Sequence, residues 1–134
     1  MRKLLNVGIV FAVAMLLVCQ GTAWAGGGGT KANATIRVTN NSVMVLGVIV
    51  DPKAGFVIPA TPKDFTDQGG KLVQPGAKVD FKVVAGNHRV IAALVDPGPP
   101  VAILPEADRQ YSVGKGKTLN LVATEKAGNT ELMP

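Results

Sequence analysis

The sequence predicts an all-β protein, a small β-sandwich of about 7–9 antiparallel strands. Three observations predict it. Short apolar runs alternate with polar residues at a period of two, as half-buried strands do. Glycine, proline and asparagine break those runs every ~8–12 residues, the spacing of sandwiches and barrels. No segment keeps a helical period over three turns.

The chain opens with the features of a secretory signal peptide, residues 1–25. Arg2 and Lys3 supply the charged start, residues 4–18 the apolar run, and Ala23-Trp24-Ala25 a small-x-small cleavage site. The run is shorter than the roughly 20 residues a comfortable membrane span needs, so no stable span is expected after cleavage. Cys19 follows Val18, and a lipidation motif needs a small residue there. Cleavage after Ala25 leaves 109 of the 134 residues, enough for one core. It also removes the only cysteine and the only tryptophan (Cys19 and Trp24), so no disulfide forms. Lys+Arg falls from 14 to 12 against nine Asp+Glu, a net charge of +3. The remaining basic residues are scattered, and nothing in their placement suggests nucleic acid.

Residues 26–33 are expected to be a glycine-rich flexible leader, residues 34–123 the sandwich, and residues 124–134 an unpatterned tail. Ala34, Ile36 and Val38 alternate with Thr35, Arg37 and Thr39 as a first strand, ended by Asn40-Asn41-Ser42. Residues 43–50 are almost wholly apolar, which reads as a strand covered on both faces. Asp51-Pro52 turns the chain into a short strand at residues 56–58, stopped by Pro59 and Pro62. Residues 65–73 carry no clear period, and Gln74-Pro75-Gly76-Ala77 is a turn.

Residues 78–97 are the best-patterned stretch and read as a β-hairpin turning at Gly86-Asn87. That pairing sets Val83 against Val90, Phe81 against Ala92 and Val79 against Leu94, giving one apolar face. Asp96-Pro97 ends it, and Pro97-Gly98-Pro99-Pro100 is a stiff loop. Residues 101–104 form a short strand stopped by Pro105, and residues 109–113 and 117–123 a last hairpin around Gly114-Lys115-Gly116. Shifted by 45 positions, residues 35–52 lie on residues 80–97, with Val38 on Val83 and Asp51-Pro52 on Asp96-Pro97. At a shift of 46, Phe65 meets Tyr111 and Gly70-Lys71 meets Gly116-Lys117. The pattern suggests two related halves of ~45 residues, too few for a solenoid.

The chemistry is sparse. His88 is the only histidine and lies near the supposed hairpin tip, and neither Ser42 nor Ser112 has a nucleophile's context. No catalytic residue is assigned. The close acid pairs, Asp64 with Asp67 and Glu106 with Asp108, match no calcium loop and read as solvated loop acids. Gly116-Lys117-Thr118 resembles the end of a phosphate loop, but Tyr111 stands where that loop needs glycine. With only Phe56, Phe65, Phe81 and Tyr111 after cleavage, a sugar-stacking face is not expected. No metal or cofactor is implied.

Gly86-Asn87-His88-Arg89-Val90, Tyr111-Ser112-Val113 and Gly116 to Leu121 resemble PEGA-type and other carboxypeptidase-regulatory-like small β-sandwich domains. The resemblance implies an accessory sandwich of the cell envelope, with no catalytic residues. The expected function is therefore an exported, secreted or periplasmic, non-catalytic binding or structural accessory. Its partner would be a protein or another envelope component. Contact is expected through two proline-stiffened loops or an unpaired edge strand, which also allows self-association. The first loop, residues 59–70, carries Pro59, Pro62 and Asp64; the second, residues 97–108, carries Pro97, Pro99, Pro100, Glu106 and Asp108. The alternatives are a secreted inhibitor or carrier using such a loop, and a small hydrolase using His88.

Overall fold

A computed structural model describes residues 31–134. The signal segment with Ala23 and Ala25, Cys19 and most of the glycine leader lie outside the described residues. The described chain is an all-β sandwich. One sheet holds β1 (Ala34–Asn40), β4 (Lys78–Val83), β8 (Thr118–Lys126) and β9 (Asn129–Met133), in the order β4-β1-β8-β9. The other holds β2 (Val45–Val50), β3 (Lys71–Val73), β5 (Gly86–Asp96), β6 (Ala102–Ile103) and β7 (Ala107–Val113). Its order is β3-β2-β5-β6, with β7 also paired to β5. The core lies between the sheets, where Ile36, Val38, Leu121 and Leu132 meet Leu46, Val48, Val90 and Leu94.

The stretch 78–97 is not a hairpin. β4 pairs with β1 in one sheet and β5 with β2 in the other, so the chain crosses the sandwich between them. Val83 lies opposite Ala34, not Val90, and Leu94 opposite Leu46, not Val79. The apolar residues do share the core, but they meet face to face across it. Alternation records only which side chains point inward, and a crossover preserves that as well as a hairpin does. The last supposed hairpin fails in the same way: β7 pairs with β5, and β8 with β1. The β1–β8 pairing is parallel, so the strands are not all antiparallel.

The 45-residue echo has a structural counterpart over its first part. β1–β2 and β4–β5 are both strand–crossover–strand units; β1 pairs with β4 and β2 with β5, each antiparallel. Val38 and Val83 are both buried in the core. The later match at a shift of 46 does not hold, because Phe65 sits on a helix and Tyr111 on a strand. The first crossover is held by Asn40, which is fully buried. Its Nδ2 donates to the Met44 and Val73 carbonyls at 2.7 and 2.9 Å, and its Oδ1 accepts from the Ser42 hydroxyl at 2.8 Å. Buried amides persist only when so satisfied.

Residues 56–58 form no strand, and Val57 and Ile58 are exposed. Residues 59–70 contain α1 (Pro62–Asp67), whose Phe65 is fully buried. Thr61 caps it, Pro62 opens it, and Asp64 reaches back to the Thr61 and Ala60 amides at 2.9 Å. Phe65 packs on Ile49 and Ala93, the outer face of β2 and β5, so β2 is covered on both faces as its composition predicts. Gly47 makes room: a Cβ there would lie 2.5 Å from the Phe65 ring. The expected tail, residues 124–134, is instead the end of β8 and all of β9. They turn at Ala127-Gly128, both at positive φ, as a two-residue hairpin requires.

Candidate functional site

Most of the expected contact residues are tied into the fold. Pro59 is buried, Pro62 is the first residue of α1, and Asp64 is the third, closing the capping box with Thr61. Lys63 pairs with Asp67 at 2.6 Å. Asp108 binds Arg89 through two hydrogen bonds of 2.9 and 2.6 Å, so neither acid pair is simply solvated. Those contacts with Arg89 hold the Asp108 carboxyl below the usual carboxylate range. Pro97, Pro99, Pro100 and Glu106 are exposed, but β6 folds this loop back against Val95 and Asp96. Both loops converge on the outer face of one sheet, where Phe56 and Ile103 pack against the cluster containing Phe65.

One open edge of the sandwich is at β4; β3, β7 and β9 likewise pair on one side only. No strand pairs with the outer side of β4 among the described residues. The carbonyls of Ala77 and Val83 turn toward the β1 side, accepting from Asn40 and Asn33 at 2.9 Å. Backbone direction alternates along an antiparallel strand, so Lys78, Asp80 and Lys82 turn their amides and carbonyls outward. The Asp80 carbonyl accepts from Lys71 Nζ at 3.1 Å, and that ammonium also stands 4.9 Å from the Phe81 ring centre.

Beside this edge lies an open cleft of about 470 Å³ lined by Val50, Asp51, Lys71, Phe81, Lys82, Val83, Val84 and His88. His88 is not an exposed tip residue. Its side chain is only 10% exposed, with Nδ1 2.5 Å from Asp51 Oδ2. Its Nε2 lies 2.6 Å from the Val84 carbonyl. Asp51, at φ 50°, accepts the Arg89 amide through its other oxygen at 3.0 Å. Both imidazole nitrogens are thus engaged by groups of the fold. Neither Ser42 nor Ser112 joins this cluster: Ser42 bonds Asn40 and the Met44 carbonyl, and Ser112 faces Asn87 in the ladder.

The charges along the edge are unequal. Arg37 holds Asp80 through two hydrogen bonds of 2.7 and 2.9 Å, which keeps the Asp80 carboxyl below its usual range. Lys71, Lys78 and Lys82 are exposed and have no carboxylate partner among the described residues. Sequence reasoning missed the Asp51–His88 clasp because Asp51 looked like a strand stop. The lysines were missed because β4 was assigned a partner in β5. No group of three metal-ligating side chains occurs among the described residues, and no helix there is long and apolar enough to cross a membrane. Compared with protein-family models, curated proteins and solved structures, the chain matches none.

Proposed function

We propose that the protein is an exported, non-catalytic binding or structural accessory of the cell envelope, and that its contact element is the free edge of β4. The observation that carries this reading is the outward-turned backbone of Lys78, Asp80 and Lys82 beside an open cleft. Unpaired strand edges bind by adding a strand. The signal-like start supports export, and the resemblance of residues 86–90 and 111–121 to envelope accessory sandwiches supports the non-catalytic role. With both loops folded back on the sheet, the edge takes precedence over them as the contact surface.

The test is site-specific photocrosslinking in cells. A benzophenone residue replaces Lys82 on the edge or, as a control, Asn120 on the exposed surface of β8. Adducts from position 82 alone are expected, and their mass separates a second copy of this chain from another protein. No adduct at 82, or equal adducts at both positions, removes the edge as the contact element.

A further inference from the structure

We propose that the β4 edge accepts an extended acidic segment of a partner protein as an added strand. The inference rests on the edge reading above and names the chemistry of its occupant. Three exposed lysines, Lys71, Lys78 and Lys82, border the edge without a carboxylate partner. The one acid of β4, Asp80, is already held by Arg37 at two points. A second copy of this chain would bring three more lysines to the seam and no free carboxylate. Lysine on an edge opposes such self-pairing. An incoming strand with carboxylates on one face meets complementary charge instead.

The other face of that strand has a seat as well. Side chains alternate across a strand, so every second residue of the segment turns toward the cleft, whose apolar lining is Val50, Phe81, Val83 and Val84. The segment is therefore alternately acidic and apolar. Docking exchanges one contact for several. The partner's amide takes the Asp80 carbonyl now capped by Lys71, and its carboxylates pair with Lys78 and Lys82 on the face away from Phe81.

The probe is a short peptide of alternating glutamate and valine, titrated into the isotope-labelled protein and followed by amide chemical shifts. The expected result is saturable movement of the Lys78, Asp80 and Lys82 amides, weakened by salt. Replacing both lysines (Lys78→Gln with Lys82→Gln) weakens binding about tenfold, the scale of two surface charge pairs lost. A lysine–valine peptide, and a glutamate–valine peptide with alternate backbone nitrogens methylated, leave those amides in place. The proposal is overturned if the lysine or methylated peptide binds as well, if the double variant binds unchanged, or if the shifts fall elsewhere. A thermal melt of the double variant shows that it is folded; if it is not, Lys78→Arg with Lys82→Arg must retain binding while Lys78→Gln alone weakens it. Crosslinking from position 82 without peptide binding overturns the acidic partner and leaves the edge reading standing. Failure of both removes the edge reading too.

Discussion

On one flank of the sandwich, β9 ends its sheet beside β5 and β7; on the other, β4 ends the same sheet beside the three-residue β3. The first flank is sewn shut. Thr130 Oγ1 accepts the Leu94 amide at 2.9 Å, the Thr130 amide donates to the Pro105 carbonyl at 3.0 Å, and the Tyr111 hydroxyl donates to the Leu132 carbonyl at 2.9 Å. Leu132 is buried beneath these bonds. The second flank has side-chain caps instead, Lys71 on the Asp80 carbonyl and His88 beside the Val84 carbonyl. Neutral groups buried at a seam make a permanent closure. A lysine on a flexible stem makes one that another donor can displace.

The comparison breaks first, and hardest, at Leu132. Leu132→Ala empties the closed flank and is expected to cost ~2–5 kcal/mol in chemical denaturation. Thr130→Val leaves the Leu94 amide without its acceptor and is expected to cost ~1–3 kcal/mol by the same measurement. Were either variant neutral, the closed flank would not be a seam. Tyr111→Phe removes one hydrogen bond and is expected to cost about 1 kcal/mol at neutral pH.

Tyr111 also sharpens the contrast through pH. Burial raises its phenol above the ordinary value, so its contribution is complete below about pH 10 and is lost as pH rises through the raised value. Stability curves of Tyr111→Phe should lack that alkaline loss. The carboxylates behave in the opposite sense. Hydrogen bonds from Arg37 and Arg89 lower the Asp80 and Asp108 values, so their contributions are complete above about pH 4 and vanish as pH falls through the lowered ones. Asp80→Asn and Asp108→Asn should each flatten acid unfolding measured by circular dichroism. The smallest effect is expected at Lys71→Ala, within ~0.5 kcal/mol of the parent, with faster hydrogen exchange confined to the β4 flank. A large loss of stability there would make the open flank a seam after all.

The inward faces of the strands were legible because alternation reports burial directly. Ile36, Val38, Val90 and Leu94 all lie in the core, and the doubly apolar β2 is covered on both sides. Partner choice was not legible, because Val83 and Val90 face the same interior whether joined by a ladder or separated by a core. The helix did leave a signal: Thr61-Pro62-Lys63-Asp64 is a cap followed by a first-turn proline and acid. With a single buried side chain, Phe65, it showed no period. β9 was hidden for a related reason, since only Thr130 and Leu132 of its five residues are buried. The edge site required knowing that β4 and β5 part company, which tertiary pairing alone decides.

The parallel pairing of β1 with β8 has a consequence for when the molecule can fold. Thr35 lies beside Thr118, so β1 cannot complete its ladder until β8 is available. Among the described residues only Ala127-Gly128 supplies a two-residue hairpin, and it follows β8. Closing such long loops slows folding. A chain emerging from the ribosome therefore stays without its sandwich until β8 has been made. Truncation before Thr118 should leave a chain with no cooperative unfolding transition.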